Sequence, residues 1–97
     1  MKQLTIGHLK CSLPIIQGGM GVGISLSGLA SAVANEGGIG VISAAGLGML
    51  YKGEGNFLEN SIIGLRSEIR KARKLTNGVI GVNIMVAMTN YADMIRT

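Results

Sequence analysis

The stretch "PIIQGGMGVGIS", residues 14–25, decides the fold that this sequence predicts. An apolar run that starts at Pro14 ends at Gln17, and four glycines follow between residues 18 and 23. Proline cannot donate to a sheet ladder, so it suits the first residue of a strand. Glycines offer no side chain to pack, and a strand seldom ends in several of them. The pattern predicts a buried strand near 14–18 that opens into a loop with an unusual backbone.

The rest of the chain repeats a strand followed by a helix. Strands are predicted near 14–18, 39–44 and 79–86, and helices near 26–35, 58–75 and 90–97. Regular alternation of this kind is typical of a parallel sheet in an α/β fold. Ligands bind at the carboxyl ends of the strands in such folds. The glycines at 18–23 therefore lie at the end of the sheet where a ligand is expected.

Local signals set the expected boundaries. Ser25 is predicted to be the N-cap of the first helix, and Gly37 is predicted to end it. The glycine-punctuated segment 46–57 is predicted to be a loop, and "QLTI" at 3–6 a short strand or cap. On the long helix, Ile62, Leu65, Ile69 and Ala72 are predicted to share the inner face.

Composition limits the functions that the chain can have. At 97 residues, 14% charged and without tryptophan, it suits the inside of an α/β protein, with room for one small domain. The net charge of +4 comes largely from one segment, with Glu59 and Glu68 beside the cations. Those cations are Arg66, Arg70, Lys71, Arg73 and Lys74. Because no aromatic residues are interleaved with them, we interpret the cluster as a solvated helix face and predict no nucleic-acid partner.

The chain has one cysteine and one histidine, too few for a disulfide or a metal site. Cys11 has no second cysteine to pair with, and His8 is the only histidine, so neither a disulfide nor a metal site is predicted. Residues 11–35 carry no charge, but five glycines and four serines interrupt them. We therefore predict a soluble, cytoplasmic protein that does not span a membrane.

The glycine spacing excludes simple nucleotide-binding motifs. Gly19 and Gly21 are followed by Ile24, where a dinucleotide fingerprint needs a third glycine. The second strand ends without the acidic residue that binds a ribose. Two interpretations remain: the bare backbone approaches a flat ligand, or the glycines only permit a tight turn. Gln17, Ser43 and Asn83 lie near strand ends and favour either a ligand or internal hydrogen bonds.

Three motifs together carry a family resemblance. "QGGM" at 17–20, "GGIGVIS" at 37–43 and "GVN" at 81–83 make residues 13–97 resemble the N-terminal part of nitronate monooxygenases, formerly called 2-nitropropane dioxygenases. The related flavin-dependent enoyl-acyl-carrier-protein reductases are also similar. The resemblance implies a (β/α)8 barrel that binds FMN at the carboxyl rim of its strands. Such a barrel needs about 250 residues, so this chain would be an N-terminal fragment of about three βα units.

The resemblance also implies roles for individual residues. Gly18, Gly19 and Met20 would set their backbone against the flavin. Asn83 and Met85 match third-strand positions near the ring, and Ser43 ends the second strand. The family's catalytic histidine and main phosphate loops come later in such chains and have no counterpart here, so no catalytic residue is assigned.

The resulting functional hypothesis is an FMN-dependent oxidoreductase that oxidises alkyl nitronates with O2. One alternative is an FMN-dependent enoyl-acyl-carrier-protein reductase, and another is a catalytically inert fragment that serves as a structural or interaction piece. Assembly into a homo-oligomer is left open by the sequence.

Overall fold

Strands and helices follow one another in the computed structural model, which describes residues 2–51, 53–85 and 91–97. The elements in chain order are β1 (Leu4–Ile6), β2 (Leu9–Cys11), α1 (Ser27–Asn35), β3 (Ile39–Ser43), α2 (Leu47–Leu50), α3 (Phe57–Leu75), β4 (Val79–Asn83) and α4 (Tyr91–Arg96). The fold is α/β.

The observed bounds lie close to the predicted ones for most elements. The strand predicted over 39–44 is β3, and the strand predicted over 79–86 ends as β4 at Asn83. The helices predicted over 26–35, 58–75 and 90–97 correspond to α1, α3 and α4. Residues 86 and 90 of these predictions lie outside the described residues.

The first predicted strand is much shorter than expected. Of residues 14–18, Ile16 alone forms a bridge, which is parallel and pairs with Ile39. The prediction of a strand over 14–18 is therefore wrong in length, although the parallel direction agrees with it. The chain leaves the sheet after Gln17, so the ladder cannot continue into the glycines.

The main sheet is parallel, as the alternation predicts. β3 pairs with β4 in a register that sets Ile39 opposite Val79 and Ser43 opposite Asn83. Both strands therefore end at the same edge, next to the glycines of residues 18–23. A separate antiparallel hairpin of β1 and β2 turns at Gly7, whose φ of 58° is left-handed. β1 corresponds to the predicted "QLTI" strand.

Small residues let α1 lie very close to the sheet. A side chain at Gly40 in β3 would collide with the backbone carbonyl of Ala30. The core formed at this contact consists of Ala30, Ile42, Ala44, Leu47, Leu65, Ala72 and Met94. Helix α1 ends where Gly37 takes a φ of 98°, in agreement with the predicted terminator.

Helix α3 has regular signals at both ends. The Asn56 side chain accepts a hydrogen bond of 2.8 Å from the Glu59 N–H, and cations occupy the last turn. Leu65 and Ala72 are buried, and Ile62 and Ile69 are partly buried against the core, as the periodicity predicts. The five cations at 66–74 are exposed.

The segment predicted as a loop at 46–57 contains the four-residue helix α2. Gly48 permits α2 to pack on α3, because a side chain there would lie 2.6 Å from the Phe57 carbonyl oxygen. So short a helix has no amphipathic period to detect, which is why the sequence pattern missed it.

Candidate functional site

The edge of β3 that faces away from β4 is hydrogen-bonded to three different residues of the segment 13–25. The N–H groups of Ile39 and Ser43 donate to the carbonyl oxygens of Ile15 and Ser25, each over 2.8 Å. Between them, the Val41 N–H donates to the side-chain oxygen of Gln17 over 3.1 Å. This edge of β3 is satisfied at each alternate residue although only Ile16 forms a bridge to it.

The Gln17 side chain takes the place of a backbone peptide in this ladder. Its Oε1 accepts from the Val41 N–H, and its Nε2 donates to the Val41 carbonyl oxygen over 3.1 Å. An amide group carries both a donor and an acceptor, so it satisfies the two backbone groups of one residue at once. Of the two interpretations of Gln17, internal hydrogen bonding is the one that the structure shows.

Ser25 closes the segment 18–24, which we call the glycine loop. The Met20 N–H donates to Ser25 Oγ over 2.9 Å, and the Ser25 N–H donates to the Met20 carbonyl oxygen over 2.9 Å. Gln17 Nε2 also donates to Ser25 Oγ, again over 2.9 Å. The prediction of Ser25 as N-cap is wrong: Leu26 holds that position without a side-chain cap, because the Ser25 hydroxyl is used within the loop.

Two glycines of the loop pack against strand ends. A Cβ on Gly19 would lie 2.6 Å from the Cβ of Asn83, and a Cβ on Gly21 would lie 2.7 Å from that of Ala45. The loop therefore lies against the ends of β3 and β4, and a side chain at either glycine would push it away. Tight packing within the protein explains the absence of side chains at these two positions.

Packing does not explain why glycine occurs at the other two loop positions, Gly18 and Gly23. Gly23 has a φ of 79°, which side-chain-bearing residues rarely adopt. A Cβ on Gly18 would have none of the described residues within 4 Å. Neither packing nor a left-handed backbone requires glycine at position 18, so this is the position where the ligand interpretation remains.

The predicted site residues divide into an exposed group and a supporting group. Met20 and Met85 are 48% and 53% exposed, and Asn83 is also exposed at the end of β4. Ser43 is buried, with its hydroxyl 3.2 Å from where a Cβ on Gly21 would be. Ser43 Oγ accepts from the Ala45 N–H over 3.4 Å. Ser43 thus supports the edge from inside, and Gly18, Met20, Asn83 and Met85 lie at its surface.

A buried carboxylate, that of Glu68, lies at the first residue of α1. Glu68 in α3 is 3% exposed, and its Oε1 accepts from the Ser27 N–H over 2.8 Å. Its Oε2 accepts from the Tyr51 hydroxyl and, over 3.3 Å, from Lys71 Nζ. The charge suits the positive end of the α1 dipole and supplies the cap that Leu26 does not provide.

The surroundings of Glu68 favour its ionised form. Burial raises the pKa of Glu68, but hydrogen bonds from Tyr51, Ser27 and Lys71 lower it, and the net result lies below the usual 4.5. The pKa of Lys71 is raised above 10.5 by its hydrogen bonds to Tyr51 and Glu68. Both groups are therefore charged in the folded chain at neutral pH.

Glu68 lies beside the exposed cations in the sequence, but it is buried. Glu68 lies three residues after Leu65 and four before Ala72, both of which were predicted to face inward. That spacing is the signal that would have placed it on the buried face.

Other reactive side chains lie away from this edge. His8 is exposed beside the hairpin turn, and Cys11 is buried at the end of β2. Among the described residues, no three His, Cys, Asp or Glu side chains cluster as a metal site requires. In the same ranges, no helix is both long and apolar enough to cross a bilayer.

Comparison with known families decides the assignment. The family model described as nitronate monooxygenase matches residues 2–97. The chain belongs to the nitronate monooxygenase family. No curated protein matches the chain. The family match covers all the residues that form the glycine loop and the ends of β3 and β4, and it supports an oxidoreductase of the nitronate monooxygenase type.

Proposed function

We propose that this chain forms the first three βα units of a (β/α)8 barrel that binds FMN and oxidises alkyl nitronates with O2. The observation that carries the proposal is the open position at Gly18, beside exposed Met20 and Asn83, at the carboxyl ends of parallel strands. In α/β folds, this end of the sheet is where ligands bind. The family match over residues 2–97 supports the same chemistry.

The residues at this edge fit a flat ring system. Within the part of the chain that the structure describes, Gly18 has no neighbour within 4 Å in the direction of a side chain, so a planar ligand can approach its backbone closely. The exposed thioethers of Met20 and Met85 are apolar and polarisable, which suits contact with an aromatic ring.

Each residue has a defined part in the proposal. Gly18 presents its backbone to FMN, and the exposed side chains of Met20 and Met85 pack against the ring. The Asn83 amide offers a donor and an acceptor, and it makes no hydrogen bond to another described residue. Gly19 and Ser43 support the loop without contacting FMN. Gly19 leaves room for the Asn83 side chain, and the Ser43 hydroxyl packs against Gly21.

The chemistry would be shared between the cofactor and the protein. When bound, FMN supplies the transfer of electrons from substrate to O2. The residues of this chain orient the ring and exclude water from one side of it. We assign no base within this chain, since His8 lies on the N-terminal hairpin and no other histidine is present.

The test of cofactor binding is Gly18→Val, followed by the change in flavin fluorescence as FMN is added to the 97-residue chain. We expect weak binding by the unmodified chain and its loss in the variant, because the branched side chain fills the open position. Gly28→Val is the matched control, since a Cβ on Gly28 in α1 would likewise have no described residue within 4 Å.

Equal FMN affinity in Gly18→Val, Gly28→Val and the unmodified chain would refute the proposed role of the loop. Circular dichroism on the same samples shows whether each variant is folded. This pair is sharper than a substitution at Gly19, where a side chain collides with Asn83 and disturbs folding directly.

Turnover gives an independent test. With an alkyl nitronate, FMN and O2, we expect the chain alone to consume no more oxygen than free FMN does, because the family's main phosphate loops have no counterpart here and the chain should hold FMN only weakly. Oxygen consumption above the free-FMN control would contradict this expectation and show that the residues of this chain are enough to promote the reaction.

A further inference from the structure

Glu68 joins two segments that lie far apart in sequence. Through Oε1 it holds the Ser27 N–H at the start of α1, and through Oε2 it holds the hydroxyl of Tyr51, which directly follows α2. Lys71 Nζ donates to the Tyr51 hydroxyl over 2.9 Å and to Glu68 Oε2 over 3.3 Å. A side chain that is 3% exposed and accepts from three groups is fixed in place.

The two joined segments are the supports of the glycine loop. Ser25, which hydrogen-bonds to both the N–H and the carbonyl oxygen of Met20, lies two residues before Ser27. On the other side, a Cβ on Gly46 would lie 2.7 Å from the Val22 side chain. Leu50 in α2 lies 3.4 Å from where a Cβ on Gly23 would be. The loop is thus held between the start of α1 and α2.

We propose that Glu68 is a positioning residue for the glycine loop: its buried carboxylate joins α1 to Tyr51 and so holds residues 18–24 in the conformation that exposes Gly18 and Met20. Glu68 itself does not reach the edge where a ligand would bind. Its effect on FMN affinity rests on the proposed function, but its effect on the loop does not.

The experiment compares amide hydrogen exchange in the unmodified chain, Glu68→Gln and Tyr51→Phe. Glutamine retains an oxygen for the Ser27 N–H but places an amide next to Lys71, and phenylalanine removes the hydroxyl alone. Glu59→Gln is the matched control, because Glu59 is exposed on the same helix.

Exchange is followed at backbone amides in three places: the glycine loop, α2 and the sheet. Met20 and Ser25 report on the loop, and Met49 and Tyr51, bonded to the carbonyl oxygens of Gly46 and Leu47, report on α2. Ile39, bonded to the Ile15 carbonyl oxygen, reports on the sheet.

We expect the loop and α2 amides to exchange about tenfold faster in Glu68→Gln and in Tyr51→Phe, because each substitution removes a hydrogen bond to a charged group. Ile39 should keep its protection, and Glu59→Gln should match the unmodified chain. Faster exchange in α2 with unchanged exchange at Met20 and Ser25 would overturn the proposal. If Glu68→Gln also speeds exchange at the Ile39 amide, the whole fold is disturbed and Tyr51→Phe becomes the deciding variant. It removes one hydroxyl and leaves the hydrogen bond from the Ser27 N–H to Glu68 in place.

Titration of the same variants with FMN separates this proposal from the proposed function. Loop exchange that responds to Glu68→Gln in a chain that does not bind FMN supports the positioning role and refutes the cofactor assignment. FMN binding with an unresponsive loop refutes the positioning role and leaves the cofactor assignment standing.

Discussion

At the scale of single residues, Gln17 shows how a side chain can complete a parallel ladder. The chain turns away from β3 after this residue, which would leave both backbone groups of Val41 without partners on that side. The amide of Gln17 reaches both of them. Few side chains can do this, because most carry either donors or acceptors.

Gln17→Ala should lower the free energy of unfolding by about 2 kcal/mol, because it leaves the Val41 N–H and carbonyl without partners. Chemical denaturation measures the loss. Gln3→Ala is the control: Gln3 is an exposed glutamine, so the same truncation there should change stability by less than about 0.5 kcal/mol. Similar losses at both positions would contradict the role assigned to Gln17.

Sequence reasoning located these residues without resolving what they do. Gln17, Ser43 and Asn83 were placed at strand ends because apolar runs stop at them. Whether such residues bind a ligand or each other depends on partners from distant segments, such as Val41 for Gln17. Periodicity contains no information about those pairs. The reasons for the four loop glycines likewise became distinct once their neighbours were known.

At the scale of elements, the contact of α1 with β3 depends on the lack of a side chain at Gly40. Gly40→Ala should destabilise the chain by about 3 kcal/mol, because the methyl group collides with the Ala30 carbonyl and the helix must move. Thermal or chemical unfolding tests this. Gly28→Ala, which adds a methyl group to open space in α1, should be neutral or stabilising. A stable Gly40→Ala chain would show that this packing is looser than described.

Helix α3 contributes a pH dependence through Glu68. Because the folded-state pKa lies below 4.5, ionised Glu68 stabilises the folded chain fully above that pH. This contribution is lost as the pH falls through the lowered pKa. The stability difference between the unmodified chain and Glu68→Gln should therefore shrink on acidification, as measured by denaturation at successive pH values. A difference that is constant with pH would contradict the ionised state.

The elements were predicted with uneven success for a physical reason. Helices α1 and α3 have an apolar face, and β3 and β4 are apolar runs, so each leaves a pattern in the sequence. Helix α2 has four residues, and residues 14–18 are joined to β3 by two backbone hydrogen bonds at Ile39 and by the Gln17 side chain at Val41. Such pieces are determined by their neighbours rather than by their own pattern.

At the scale of the whole molecule, the sheet presents apolar edges. Ile15 and Ile16 are 49% and 60% exposed on one side, and Val82 is 38% exposed on the other. Among the described residues, no strand pairs with the far side of β4. An apolar groove also runs between residues 13–15 and α1, lined by Leu13, Ile15 and Val33. Unpaired edges of this kind promote association with other chains.

We therefore expect the isolated chain to self-associate at micromolar concentration and Ile16→Lys to reduce this association. Lysine at a strand edge opposes pairing with another strand. Sedimentation velocity measures the effect. Ile63→Lys is the control, since Ile63 is 58% exposed on α3, away from the sheet. A monodisperse monomer of the unmodified chain with a cooperative melt would contradict both the expectation and the fragment hypothesis.

The substitution of a side chain for backbone at Gln17 makes the glycine loop modular. The chain departs from the sheet at Gln17 and rejoins it when the Ser25 carbonyl accepts from Ser43. Because the β3 edge is satisfied by residues on either side of the loop, residues 18–24 contribute nothing to the ladder. A change of length between Gln17 and Ser25 would consequently leave the hydrogen bonds of β3 in place, so the frame and the loop are separable parts of the molecule.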